Sequence, residues 1–338
     1  MDLKMWMMEF RPAVEEELQR AWRELVPEQY DGLRTMMAYH LGWVGEGSGP
    51  EAQGKRIRPV LVLLAAAASG GDWRAALPAA AGVELLHNFS LIHDDIEDRS
   101  DLRRGRPTVW KKWGVPQAIN TGDAMFSMAP LAVMRLQETV GEQAAFAGVK
   151  RLMQACMELT AGQYLDISYE TERSLPMTAY WPMVQGKTAA LLSACAELGA
   201  IAAQADAARR AAFARFGNAL GLAFQILDDV LGIWGDAALT GKSAESDLVT
   251  GKKTLPVLLG LQQGGRFAQR WMTGVPVQPE EVVQLSTWLE EEGVLAATLA
   301  EADRYTREAQ AFLQDAALPN EAGAALRQLA DELLKRNR

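Results

Sequence analysis

Apolar residues in this chain recur with the 3.6-residue period of an amphipathic helix, and the strict alternation of a half-buried strand is almost absent. Val83, Leu86 and Ser90 keep that period, and it returns from Ile119 to Met134. Alanine and leucine, both strong helix formers, dominate these segments, while Gly and Pro gather between them. The pattern predicts about ten helices and no sheet. Breaks are expected at residues 45–54, 69–72, 105–114, 175–182, 232–253, 274–279 and 317–321. None is long or biased enough to be an interdomain linker, and no repeat with a period of roughly 20–50 residues is visible. The expectation is an all-α fold, a single large helical bundle over residues 1–338, at the upper limit of what one hydrophobic core serves.

Composition narrows the chemistry. Forty-three acidic against 34 basic side chains leave a net charge of −9, which argues against nucleic acid as a partner. An anionic substrate would need metal ions or clustered Lys and Arg to hold it. The two cysteines, Cys156 and Cys195, both sit in apolar helical patterns, so a reducing compartment fits better than a disulfide framework. Only His40, His87 and His93 are available for zinc or a catalytic triad, and no GxSxG accompanies them. The acidic N-terminal segment does not read as a signal peptide, and the longest uncharged apolar run, 59–71, is too short to span a bilayer. These features predict a cytoplasmic protein without a transmembrane segment.

Two aspartate clusters carry the functional signal. In HNFSLIHDDIEDRSDLRRGRP, beginning at His87, residues His87, Leu91, Asp94 and Asp98 fall on one helical face, with Asp95, Glu97 and Asp101 nearby. Like charges one turn apart repel, so helix propensity does not account for them. A bound cation does, and carboxylates one turn apart suit Mg²⁺, which keeps several waters and is completed by phosphate. A helix end running into a solvated turn explains a lone DDxxD equally well. A second pair tips the balance: in FQILDDVLG, residues 224–232, Asp228 and Asp229 are embedded among Phe224, Ile226, Leu227, Val230 and Leu231. A buried pair of carboxylates is costly without a cation. Two such pairs, each after an apolar helix, read as facing walls that hold several Mg²⁺ ions.

Cations lie where a phosphate would need them. Lys55, Arg56 and Arg58 open an apolar helix after a glycine-rich loop; Arg103 and Arg104 follow the first cluster; Lys187 with Thr188 opens another helix; Lys242, Lys252 and Lys253 follow the second cluster. Each alone is more simply a solvated charge. Together they suit ionisation of a diphosphate ester, in which Mg²⁺ and Lys/Arg neutralise the leaving group and an apolar cavity shelters a carbocation.

The segments GKRIRP (54–59), HNFSLIHDDIEDRSDLRRGRPTVW (87–110), GQYLD (162–166), KT (187–188), FQILDDVLG (224–232), GK (241–242) and SDLVTGKKTLP (246–256) together resemble the trans-isoprenyl diphosphate synthases, or polyprenyl synthetases. The resemblance implies an all-α fold around a deep central cavity, usually a homodimer, with three Mg²⁺ ions per site. It implies head-to-tail condensation of isopentenyl diphosphate with an allylic diphosphate (dimethylallyl, geranyl or farnesyl). By the same resemblance Asp94 and Asp98 bind Mg²⁺ with Asp95 in support, and Asp228 binds a further ion with Asp229 nearby. Arg103, Lys187, Lys242 and Lys252 would hold the allylic diphosphate; Lys55, Arg58, His87 and Arg104 would hold isopentenyl diphosphate. Thr188 and Gln225 would flank the reacting carbons, and Gln163 and Asp166 would line the cavity.

One departure from the family pattern is plain: the second motif, usually DDxxD, ends here in Gly232. Activity is expected to survive, because the metal contact belongs chiefly to Asp228. Product length turns on the residues before the first motif. Phe89 lies five positions before Asp94, Ser90 beside it is small, and no insertion follows. In the family that form resembles geranylgeranyl (twenty-carbon) synthases, with farnesyl and geranylfarnesyl products as alternatives. On an ideal helix Phe89 is about 7.5 Å along from Asp94 and points elsewhere, so a core-packing role stays open. A class I terpene cyclase is a weaker reading, since its N-D-x-x-S-x-x-x-E motif is absent. A non-catalytic regulatory subunit is another, motivated by Gly232 but opposed by the complete first motif.

Overall fold

The computed structural model describes residues 2–235 and 246–335. Helices make up almost all of its regular structure, as the periodicity predicts. Among the described residues the only strands are Leu102–Arg103 and Arg106–Pro107, an antiparallel ladder pairing Leu102 with Pro107 and Arg103 with Arg106. The helices outnumber the ten or so expected, partly because several anticipated breaks contain helix: Pro50–Gln53 and Asp247–Thr250 are single turns in two of them, and two more hold longer pieces. Val109–Trp113 lies in one, and Met177–Val184, with Pro182 inside it, lies in the other. Tyr180, Met183 and Val184 are buried there, and this packing overrides the proline signal.

The chain forms two compact units: Met1–Met153 with Cys195–Ala211 and Ala317–Leu326, and Gln154–Ala194 with Ala212–Ala316 and Arg327–Arg338. In the first unit the helix Ile57–Ala68 reads IRPVLVLLAAAA, apolar nearly all round, and is accordingly buried on nearly every side. Leu61, Leu63 and Leu64 pack in a core that includes Phe10, Val14 and Leu18 of Leu3–Leu25, Leu85 of Leu77–Glu97, and Met125 and Val133 of Val115–Met134. In the second unit Phe213, Phe216 and Leu220 of Ala207–Trp234 are fully buried. A further cluster there joins Leu248, Val257, Phe267, Leu285, Leu289 and Val294.

By length and composition alone, Trp73–Glu97 and Ala207–Trp234 are apolar enough to cross a bilayer, which the sequence reading did not anticipate. Two-thirds of each is buried inside the protein, the pattern of a core helix. Each also carries one of the aspartate clusters near its C-terminal end.

Candidate active site

The first cluster is built by the end of the Leu77–Glu97 helix. Asp98 is its C-cap, Arg99 turns left-handed at φ 52°, and the Ser100 and Arg99 amides donate to the Asp95 and Ile96 carbonyls at 2.9 and 3.2 Å. This double closure ends the helix and leaves Asp94, Asp95 and Asp98 in its last turn. Carboxylates at the negative end of a helix dipole are unfavourable by themselves and favour a cation there.

The hairpin that follows turns at Arg104 and Gly105, both at positive φ, and so aims two guanidiniums in chosen directions. Arg103 Nε donates to both oxygens of Asp95 at 2.9 Å, and its Nη2 lies 2.8 Å from Oδ1. Asp95 is only 2% exposed, and burial raises its pKa against the pull of Arg103. Asp94 is half-buried and Asp98 exposed. Of the adjacent pair, Asp95 is therefore committed to Arg103, while Asp94 and Asp98 remain near the surface one turn apart.

Arg104 reaches the GKRIRP segment. Its Nη1 donates to the Ala52 and Gln53 carbonyls at 2.9 Å, and a Cβ at Gly54 would lie 2.7 Å from its Cζ. In the same unit Arg58 Nη1 lies 3.1 Å from His87 Nε2. Burial, followed by the Arg58 charge, holds His87 well below the usual imidazole range, so the neutral ring accepts from Arg58. Arg58 Nε is buried and has no hydrogen-bond partner, an orphaned donor of the kind an anion satisfies. Lys55 is exposed at the mouth of the same segment. The structure thus groups Arg58 with His87, and Arg104 with the loop that carries Lys55.

Arg56 behaves differently from the expectation that the cations of this segment meet phosphate. It is 4% exposed and pairs with Glu15 at 2.5 Å and Glu84 at 2.7 Å, with a further bond to the Leu41 carbonyl. Its charge is consumed in holding the loop to two helices, because a buried guanidinium needs carboxylate partners. Arg106 is similarly spent on the carbonyls of Tyr39, Val44 and Glu46.

In the second unit a polar chain joins four helical segments. Thr188 Oγ1 donates to Gln225 Oε1 at 2.6 Å, and Gln225 Nε2 donates to Asp229 Oδ1 at 2.9 Å. Asp229 Oδ2 accepts from the Tyr180 hydroxyl at 2.8 Å and the Leu255 amide at 3.0 Å. Leu255 begins the helix Leu255–Gln263, whose N-cap Thr254 makes no side-chain cap bond, so Asp229 serves as that cap from another helix. Asp229 is 4% exposed, and burial pushes its pKa up to about 7 although these three donors oppose the rise. Asp228, its neighbour, is half-buried. Tyr180 was not singled out in the sequence, since one tyrosine 49 residues from its partner leaves no local signal.

Lys187 and Thr188 lie on a π-helical turn, Gln185–Ala189, a rare local geometry that re-aims side chains at functional sites. The turn is seated against GQYLD: a Cβ at Gly162 would meet the Lys187 amide at 2.1 Å, and one at Gly186 would meet the Glu158 carbonyl at 2.4 Å. Lys187 forms an ion pair with Asp166, one turn beyond Gly162. Gln163 follows Gly162 and is half-buried. Of the three lysines after the second cluster, Lys253 is buried and donates to the Glu170 and Gly251 carbonyls, while Lys252 is half-buried. Lys242 lies outside the described residues.

No group of three His, Cys, Asp or Glu among the described residues forms a ready-made metal cage. The donors nevertheless fit Mg²⁺: oxygen-only ligands at helix C-termini, one or two per ion, leave positions for water and phosphate. Phe89 is half-buried, its ring 5.2 Å from Phe126 and 4.9 Å from His93; Ser90 turns back onto the His87 carbonyl at 2.8 Å.

Residues 49–285 match the sequence profile named Polyprenyl synthetase. The chain is 39% identical over 314 residues to a (2E,6E)-farnesyl diphosphate synthase of Mycobacterium tuberculosis, covering 90% of this chain and 86% of that one. It is 47% identical over 238 residues to a geranylgeranyl diphosphate synthase of the same organism, covering 70% and 67% of the two chains. Against a geranylfarnesyl diphosphate synthase of Aeropyrum pernix it is 34% identical over 290 residues, covering 85% and 91%. The crystal structure of a polyprenyl synthetase from Streptomyces coelicolor superposes with a TM-score of 0.86 at 34% identity, covering 98% of this chain and all of that one. With the aspartate clusters and their cations in place, sequence and fold agree that the chain belongs to the polyprenyl synthetase family of prenyltransferases.

Proposed function

We propose that the protein condenses isopentenyl diphosphate head-to-tail with an allylic diphosphate to give a short-chain all-trans prenyl diphosphate, geranylgeranyl diphosphate being the favoured product. The observation that carries this reading is the division of labour within each Asp–Asp pair. One member of each is buried and hydrogen-bonded, which fixes the helix end, and the other remains nearer solvent. Asp94, Asp98 and Asp228 would hold Mg²⁺, three ions per site in the family pattern. When bound, the metal neutralises the diphosphate leaving group and promotes its departure.

The protein's own groups supply the rest. Arg103, Lys187, Lys242 and Lys252 bind the allylic diphosphate; Lys55, Arg58, His87 and Arg104 bind isopentenyl diphosphate. Arg58, with an unsatisfied buried donor, is the group most in need of an anion. Thr188 and Gln225, locked together at 2.6 Å, present fixed dipoles that stabilise positive charge at carbon. Asp229 and Tyr180 orient Gln225 without touching substrate, and Gln163 and Asp166 line the apolar cavity that excludes water. The released diphosphate accepts the proton lost after C–C bond formation. The whole of residues 1–338 acts as one catalytic domain, working as a cytoplasmic homodimer.

Phe89 sets the depth available to the growing tail in this reading, supported from behind by the Phe126 ring. Related chains named for fifteen-, twenty- and twenty-five-carbon products keep farnesyl and geranylfarnesyl diphosphate as the alternatives. Incubation with labelled isopentenyl diphosphate, each allylic primer in turn and Mg²⁺, followed by sizing of the dephosphorylated products, decides. A twenty-carbon linear prenol supports the proposal; no elongation with any primer refutes catalysis, and a cyclic hydrocarbon refutes chain elongation.

A further inference from the structure

We propose that Glu15, on the helix Leu3–Leu25, is a positioning residue for isopentenyl diphosphate, acting through Arg56 on the turn from which Lys55 and Arg58 reach the diphosphate. The inference rests on the reading above that Lys55, Arg58, His87 and Arg104 hold that substrate. Those cations surround a turn that local geometry does not favour. Arg56 has φ 51°, in the left-handed region that a non-glycine residue enters at a cost, and as the N-cap of Ile57–Ala68 it makes no side-chain cap bond. Ahead of it stand Gly54, also at positive φ, and the exposed Lys55. Such a backbone persists only where its surroundings over-determine it.

The Arg56 guanidinium provides that constraint. Its Nη1 donates to Glu84 Oε1 at 2.7 Å, its Nη2 to the Leu41 carbonyl at 3.2 Å, and its Nε to Glu15 Oε1 at 2.5 Å. Glu84 stands three residues before His87 on the helix Leu77–Glu97, and Arg56 stands two before Arg58. Pairing Arg56 with Glu84 therefore sets the register in which Arg58 meets His87 at 3.1 Å. Glu15 closes the other side. Its Oε2 accepts from Trp43 Nε1 at 2.7 Å, so the carboxylate is fixed at both oxygens and holds the guanidinium in one orientation. One turn earlier on the same helix, Arg11 Nη2 donates to the Lys55 carbonyl at 3.1 Å. The N-terminal helix thus grips two consecutive residues of the turn. Glu15 spends both oxygens on these bonds and carries the same sign of charge as the substrate, so its effect reaches the diphosphate through the turn.

The test compares two substrates on the full-length chain: isopentenyl diphosphate, and geranyl diphosphate with Mg²⁺, each by calorimetric Kd and by KM. Glu15→Gln should raise both constants for isopentenyl diphosphate about tenfold, equivalent to about 1.4 kcal/mol, and leave those for geranyl diphosphate within about twofold. Arg56→Lys should give the same split, and the double variant should be no weaker than the weaker single one, because both changes break one bond. Arg11→Ala, at an exposed site, should raise the isopentenyl values about two- to threefold. Glu9→Gln on the same helix, whose carboxylate pairs instead with Arg74 at 2.6 Å, should change neither substrate. Thermal midpoints establish that each variant is folded. A purely structural Glu15 lowers the active fraction and leaves both affinities at the parent's values, and that outcome overturns the proposal. So do equal losses toward the two substrates, or a double variant whose losses add. If the parent shows neither binding nor turnover of isopentenyl diphosphate, the reading of that pocket fails and takes this one with it, and that control tells the two failures apart.

Discussion

The two aspartate pairs begin from the same dipeptide at the same place, the C-terminal end of a long apolar helix, yet the protein neutralises them by different means. Asp95 is buried against the full positive charge of Arg103. Asp229 is buried against neutral donors only: a tyrosine hydroxyl, a glutamine amide and a backbone amide. The difference explains why Asp229 is pushed up to about 7. It also assigns different tasks. The first buried carboxylate orients a cation, whereas the second orients Gln225 and through it Thr188.

The comparison can be broken most directly at the outward members. Asp94→Ala or Asp228→Ala should lower kcat by at least about 10³-fold, since several kcal/mol of charge stabilisation is lost. Thermal midpoints should move little, and steady-state rates at saturating Mg²⁺ with a melting curve check both. Near-parental turnover in either variant would refute the division of labour. The inward members should act on stability instead. Asp95→Asn leaves Arg103 without its counter-charge and should cost about 2–3 kcal/mol in urea unfolding. Asp229→Asn retains an acceptor and should cost about 1–2 kcal/mol. A larger loss at Asp229 would reverse the contrast.

Smaller effects sharpen it. Phe89→Ala should lengthen the product by one or more isoprene units, and Phe126→Ala, acting through the Phe89 ring, should shift the distribution less. Sizing the prenols reads both, and an unchanged Phe89→Ala product would make that ring simple core. The smallest effect is in pH. The folded His87 stays neutral while the unfolded chain takes up a proton below about 6.5. Acidification through that window therefore favours unfolding, and His87→Gln should flatten the loss measured by urea titration between about pH 7 and 5. Asp229 works with the opposite sign in the metal-free protein. Its raised value means stability falls as pH rises from the ordinary carboxylate range to about 7.

Much of the site could be read from spacing. Asp94 and Asp98 share a face because they are four residues apart, whereas Gly232 stands out only against the DDxxD that the family resemblance leads one to expect. Thr188 and Gln225 were paired by family resemblance, and the structure joins them by a hydrogen bond across 37 residues. What spacing did not carry was the choice between like residues. Arg56 and Arg58 are two apart, yet one is sealed between Glu15 and Glu84 and the other lies beside His87 with an unpaired donor. Tyr180 fell in a segment that Pro176 and Pro182 marked as a break, and burial made it helix.

The sequence by itself determined the helical class, because the apolar period repeats almost end to end, and it narrowed the chemistry proposed for the site, because carboxylates and cations cluster where His and Cys are scarce. Tertiary structure alone decided which aspartate of each pair is spent inside the fold and which basic residues are left for an anion. The physical reason is that a charge is assigned by its burial and its partners, and here those partners arrive from as far as 67 residues away along the chain, as Tyr39 does for Arg106.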